Sequence, residues 1–192
     1  MNLFEIAHSL NRQFGPEQWC IYRGKHLLSF VDNHDVNRIS STLTDERKLP
    51  LVFGLLMAVP GIPCIYYGSE WGIKGEKIQG VTDAPLRPEF DAPQPNELSD
   101  LVSKYIHMRR GHKALTLGDY KDLVLTNKQY VLERNYEGEK IVVALNIDDA
   151  PYTIYPPIEH GSYQDLMSGE MVDYNGELEL PPLSITYLYK HA

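Results

Sequence analysis

The chain is poor in cysteine: Cys20 and Cys64 are the only two in 192 residues, and they form no CxxC pair. That excludes a disulfide scaffold and a thiolate zinc site, and it leaves the redox compartment open. Cys64 lies in an apolar run and reads as an inert buried thiol. An excess of positive charge is also missing. Eighteen Lys and Arg against twenty-six Asp and Glu give a formal charge of -8, which disfavours nucleic acid or an anionic membrane surface as partner and is compatible with a neutral polar ligand. The first residues, MNLFEIAHSLNRQFG, hold neither a continuous apolar core nor a small-residue cleavage site. On that reading the chain carries no secretory signal and leans to the cytoplasm, an argument that lapses if it starts within a longer polypeptide. An unbroken membrane-length run is absent as well. Residues 51–68, LVFGLLMAVPGIPCIYYG, are uncharged, but Pro60-Gly61-Ile62-Pro63 divides them into a helix-length and a strand-length piece. What remains, 43% hydrophobic and 23% charged residues, is the composition of a globular protein of one large or two small domains.

Apolar periodicity organises the first 112 residues. Leu3, Ile6, Ala7, Leu10 and Phe14 recur at helical spacing, and Gly15-Pro16 should end that helix. Residues 27–31 are apolar on both alternating faces, as in a strand buried inside a parallel sheet, and stop at Asp32-Asn33-His34-Asp35. Thr44 can cap a second helix, with Asp45 and Glu46 at its positive end and Pro50 early in it, running to about Val59. Cys64-Ile65-Tyr66-Tyr67 reads as a second buried strand ending at Gly68-Ser69-Glu70. After an irregular, Pro-rich stretch, Asn96 caps a third helix with Leu98, Leu101, Val102, Tyr105 and Ile106 on one face; Arg109, Arg110 and Gly111 suit its C-terminal end. A domain boundary is expected after residue 112. Two strand-helix units and a leading helix are part of a (β/α) barrel, which needs eight units and about 250 residues to close.

From residue 113 the pattern changes to short strands, at 120–126, 130–135, 140–147, 171–174, 177–180 and 184–190. Glu137-Gly138 and Asn175-Gly176 supply hairpin turns between neighbours. The expected fold class is therefore α/β plus all-β: a partial (β/α) barrel over residues 1–112, then an antiparallel β-sandwich over 113–192. No chemistry-bearing cluster stands out in the second part.

Chemistry concentrates in Phe30-Val31-Asp32-Asn33-His34-Asp35-Val36-Asn37-Arg38 and, further on, Pro60-Gly61-Ile62-Pro63-Cys64-Ile65-Tyr66-Tyr67-Gly68. Polar groups just after a buried parallel strand lie at the barrel's C-terminal face, where active sites gather. His34 and Asp35 can hold sugar hydroxyls, and the Asp35 carboxylate can stabilise positive charge on a sugar ring. A purely structural reading stands beside this one: an Asx turn at Asp32-Asn33 and a satisfied His34–Asp35 strand-end pair. Arg38 is a candidate partner for a site carboxylate or, equally, a surface or capping group. Trp71 is a candidate sugar-stacking ring or a loop-packing residue. Tyr66 and Tyr67 should alternate across the strand, so that one is core and one approaches ligand.

FVDNHDVNR resembles the seventh-strand signature of the α-amylase superfamily of glycoside hydrolases, and PGIPCIYYGSEWG resembles that family's eighth strand and following loop. LPPLSITYLYK is similar to the last strand of its C-terminal sandwich. The resemblance implies that Asp35 is the third catalytic carboxylate, stabilising the oxocarbenium-like transition state, with His34 bonding the same sugar and Arg38 and Trp71 as further substrate-binding candidates. It also implies that nucleophile and general acid sit on earlier strands, in motifs this chain does not contain; Glu70 matches an acidic family position and reads as a loop-organising group. The expectation is a C-terminal portion of a retaining glycosidase acting on α-linked glucan oligosaccharides or polysaccharides, inactive alone. No cofactor and no metal are expected, since His107, His112 and the other histidines lack ligand-spaced partners. Two rivals stand: a non-catalytic carbohydrate-binding or scaffold module, and self-association through unpaired barrel strands.

Overall fold

The computed structural model describes residues 2–78 and 80–190. Helix α1, Leu3–Phe14, forms where the apolar spacing predicts it; the Asn2 side chain accepts from Phe4 N–H, and Gly15 ends it. A loop leads to strand β1, Leu28–Phe30. The short helix α2, Ile39–Thr42, was not expected from the sequence. Asp45, rather than Thr44, then caps a 3-10 turn over Glu46–Lys48 that runs into helix α3, Leu49–Ala58, with Pro50 in its first turn. Strand β2 covers Ile62–Cys64 and pairs in parallel with β1, Leu28 opposite Ile62 and Phe30 opposite Cys64.

Two sequence expectations need correction here. The second strand begins two residues early and ends at Cys64, because β1 offers only three residues to pair; Tyr66 and Tyr67 lie beyond it and do not alternate across a sheet. Nor is β1 buried on both faces. Leu28 is 61% and Phe30 46% exposed, since β1 and β2 form a two-stranded sheet whose outer edges have no partner among the described residues. Cys64 is only half-buried, whereas Cys20 is buried with its thiol on the Asn11 carbonyl.

Helix α4, Glu97–Gly111, carries a capping box between Asn96 and Ser99 and packs on α3. A short helix α5, Lys113–Leu117, follows. Its entry is fixed by Glu139, which takes the His112 ring at 2.9 Å and the Ala114 N–H at 2.7 Å. The remainder is antiparallel: β3 (Asp119–Leu125), β4 (Gln129–Tyr136), β5 (Glu139–Asn146), β6 (Tyr152–Ile154), β7 (Gly161–Asp165), β8 (Met171–Tyr174), β9 (Leu178–Leu180) and β10 (Ser184–Tyr189). Six of these make one sheet in the order β3-β4-β5-β10-β7-β8, and β6 pairs with β9 apart from it. Strands β6 and β7 are short and polar or Pro-flanked, and carry no periodic signal. Glu137-Gly138 does turn β4 into β5, both residues at positive φ. Asn175-Gly176 makes no hairpin, however: β8 pairs with β7 and β9 with β6, so this turn passes the chain from one sheet to the other.

One apolar core joins α1, α3 and α4 to the inner face of β3, β4, β5 and β10, with Phe53, Met57, Tyr105, Tyr130, Leu145 and Tyr187 at its centre. A second, with Val131, Ala144, Tyr163 and Leu180, fills the space between the large and the small sheet. No described helix is long and apolar enough to cross a membrane.

Candidate functional site

The turn after β1 sorts its polar groups by burial. Asp32 is 1% exposed; its carboxylate accepts from Ile39 N–H at 2.9 Å and from the Ser69 hydroxyl, which lies 2.8 Å from both carboxylate oxygens. A buried carboxylate needs such donors. Asn33 Oδ1 accepts from the N–H groups of Asp35 at 2.8 Å and Val36 at 3.2 Å. The Asx turn is thus made by Asn33, and it turns the next two side chains outward. His34 Nε2 and Asp35 Oδ2 stand 3.2 Å apart with side chains 55% and 63% exposed.

Two further groups close on this pair from sequence-remote positions. Arg87 reaches from the loop after β2 to place one guanidinium nitrogen 3.7 Å from Asp35 Oδ1 while another pairs with Asp83. The hydrogen bond to Asp83 raises the Arg87 pKa, with the charges of Asp83, Tyr66 and Asp35 acting in the same direction. The Tyr66 ring lies 6.3 Å from His34, and burial raises its phenol pKa. Nothing in the local sequence pattern around Arg87 announces it.

The other candidates fall elsewhere. Arg38, a candidate for substrate binding or for a capping group, is 0% exposed; its terminal nitrogens donate to the Tyr67 carbonyl, the Ser69 hydroxyl and the Leu86 carbonyl rather than to Asp35. Trp71 is half-buried with its ring edge-to-face against Phe90 at 5.2 Å, and its carbonyl accepts from Asn96. A chain of rings leads from it to the site, Phe90 to Tyr67 at 6.1 Å and Tyr67 to Tyr66 at 4.7 Å. Glu70, read as loop-organising, has a buried Oε2 without a hydrogen-bond partner among the described residues. His107 is bound to the Ser103 carbonyl on its own helix. Among the described residues no group of three or more His, Cys, Asp or Glu is arranged to hold a metal ion. Two cavities lie away from His34 and Asp35: about 730 Å³ beside β2, lined by Ile62, Ile65, Ile106 and Arg109, and about 450 Å³ between α1, β1 and α3.

Polar groups gathered beyond the C-terminal ends of adjacent parallel strands are the mark of α/β proteins built from βα units. Within that class the chain belongs to the α-amylase family, whose model, described as alpha amylase, catalytic domain, matches residues 10–121. The chain is 28% identical over 147 residues to a cyclomaltodextrin glucanotransferase of Geobacillus stearothermophilus, covering 74% of this chain and 20% of that protein. It is 29% identical over 171 residues to alpha-amylase 2 of Dictyoglomus thermophilum, covering 85% and 29%. Among solved structures an Anoxybacillus α-amylase superposes with TM-score 0.71 at 27% identity, covering 87% of this chain and 39% of that one. The α-amylase of Geobacillus thermoleovorans, solved with acarbose, gives TM-score 0.75 at 24% identity over 86% and 39%, a likeness of fold. The chain thus spans less than a third of the length of these curated relatives.

Proposed function

We propose that the chain is the C-terminal part of an α-amylase-type glycosidase acting on α-linked glucans: residues 1–112 the last units of a (β/α)8 barrel, residues 113–192 a β-sandwich domain. The observation that carries this reading is the exposed His34–Asp35 pair beyond β1, held out by Asn33 and flanked by Arg87 and Tyr66. In this reading Asp35 stabilises the oxocarbenium-like transition state and His34 bonds a hydroxyl of the same sugar. Retaining hydrolysis further needs two carboxyl groups roughly 5 Å apart, as nucleophile and acid. Asp35 is partnered by His34 and Arg87 rather than by a second carboxylate, so both functions are assigned to strands that would cover the open edges of β1 and β2. A sugar-binding module without catalysis draws less support, because the ring offered for stacking, Trp71, is engaged with Phe90.

The purified chain is expected to leave starch and maltotriose unhydrolysed, while acarbose shifts the NMR signals of His34, Asp35 and Arg87 and loses that effect in Asp35→Asn. Appreciable turnover would overturn the assignment of nucleophile and acid to other strands. Shifts confined to residues remote from Asp35 would overturn the site.

A further inference from the structure

Arg38 follows Asp35 by three residues, yet its side chain turns away and is wholly buried. One terminal nitrogen donates to the Tyr67 carbonyl at 2.7 Å and the Ser69 hydroxyl at 3.0 Å; the other donates to the Leu86 carbonyl at 2.8 Å. The guanidinium carbon lies 4.1 Å over the Tyr66 ring and 5.2 Å from Tyr67. A buried guanidinium is costly unless it is bonded, and its planar shape fixes the directions of whatever it holds; here both terminal nitrogens are engaged, while the buried Nε has no hydrogen-bond partner among the described residues.

What it holds is the loop that ends in Arg87. Besides the Leu86 contact, Arg38 N–H donates to the Gly75 carbonyl at 2.9 Å, Gly75 N–H to the Ser41 hydroxyl at 2.9 Å, and Lys77 N–H to Asn37 Oδ1 at 2.8 Å. The approach is so close that a Cβ on Gly75 would collide with the Pro85 carbonyl and press on Arg38 Cγ at 3.2 Å. Arg87, the residue after Leu86, is itself 41% exposed in its side chain. An exposed ion pair at 3.7 Å gains too little to order a long side chain; the Asp83 ion pair and the Arg87 N–H on the Ala84 carbonyl hold Arg87 within its own turn, and the Leu86 carbonyl is where that turn is tied to Arg38.

We infer that Arg38 is a positioning residue: through the Leu86 carbonyl it fixes the backbone that presents Arg87 to Asp35, so that a buried cation sets the orientation of an exposed one. The consequence for catalysis rests on the function proposed above; the coupling of Arg38 to Arg87 does not.

NMR of the arginine side chains in the labelled chain tests this. In the unaltered protein the Arg38 terminal N–H protons should appear as separate, slowly exchanging signals, and Asp35→Asn should shift the Arg87 Nε–H signal. In Arg38→Lys, which keeps the charge but loses the fork, Asp35→Asn should no longer move Arg87. Ser69→Ala, which spares the Leu86 contact, should keep the response. Acarbose should bind about tenfold more weakly to Arg38→Lys and to Arg87→Ala alike, the scale of one charge-assisted hydrogen bond, and no more weakly to the double variant. An Arg87 signal that still follows Asp35 in Arg38→Lys overturns the inference. So do averaged, fast-exchanging Arg38 protons in the unaltered chain, a result that needs no variant to fold. If acarbose leaves the unaltered chain unperturbed while the Arg38-dependent coupling is present, the glycan reading fails and the positioning role stands.

Discussion

Arg134, on β4, donates from its guanidinium to the carbonyl oxygen of Ala58 at 2.7 Å, joining residues 76 apart in the chain. Ala58 is the last residue of α3, where helical carbonyls lack partners in the helix itself. Arg109, from α4, serves the same end, donating to Met57, Val59 and Gly61 carbonyls at 2.6, 3.0 and 2.7 Å. Burial pulls Arg109 down to about 10; burial, and then the neighbouring Arg109 charge, pull Arg134 down to about 9. Both values lie above neutrality, so two buried cations cap one helix and the antiparallel part completes the end of α3, from which the chain enters β2.

Replacing Arg134 with Leu removes the donors to Ala58 and to Gly118 and leaves buried carbonyls unpaired. The expected loss is roughly 2–4 kcal/mol, from unpaired groups that burial keeps from water. Urea denaturation followed by circular dichroism measures it; a loss under about 0.5 kcal/mol, the range of an ordinary surface change, would show that the contact contributes little.

Long periodic elements were legible in the sequence. Helices α1 and α4 are specified by apolar spacing, and α4 also by the cap at Asn96, all local signals. The strands of the site were harder, because pairing rather than propensity decides three-residue strands: β2 starts at Ile62 since Leu28 lies opposite it. His34 and Asp35 were legible as polar residues closing an apolar run. The environment of that pair was not. Arg87 lies 52 residues from Asp35 and sits in no periodic segment, and the direction of Arg38 is set by a carbonyl 48 residues away. Sequence spacing places a residue on an element; it does not state which remote backbone groups a long side chain will meet.

Asn33 makes the Asx turn that sends His34 and Asp35 outward. Asn33→Ala should cost about 1 kcal/mol of stability, as loss of a capping-type bond does, while abolishing the acarbose-induced shifts at His34 and Asp35. Asn33→Asp, whose carboxylate oxygen can accept the same two N–H groups, should restore them. Equal binding by the Ala variant would remove the turn from the account of the site.

The β1–β2 sheet exposes Leu28, Phe30 and Ile62 together with two edges that are unpaired among the described residues. Open apolar strand edges template association. The chain alone should therefore form dimers or larger species as concentration rises, and Leu28→Lys with Phe30→Lys should return it to monomer, since charged edge residues block pairing. Leu28 is 61% and Phe30 46% exposed, so the melting temperature should fall only a few degrees. Light scattering that finds the unaltered chain monomeric at high concentration would contradict this.

Alkaline pH probes the core between α4 and the large sheet. Tyr105 is buried there, its ring 6.1 Å from that of Tyr187, whose hydroxyl donates to the Gly54 carbonyl. Burial, with the Asp165 charge adding to it, pushes the Tyr105 phenol up to about 12 from its ordinary 10. Between those two values the unfolded chain gives up the Tyr105 proton while the folded chain retains it, so the unfolded state binds fewer protons and stability falls as pH rises. The contribution is fully present below about pH 10 and is lost as pH climbs through about 12, on the order of 3 kcal/mol for a shift of this size. Tyr105→Phe keeps the ring and removes the titrating group. Its stability should decline less steeply than that of the unaltered chain above pH 10, and the two should run parallel at pH 7 to 9. Parallel curves through pH 12, by urea denaturation at each pH, would mean that Tyr105 ionises without opposition from its surroundings.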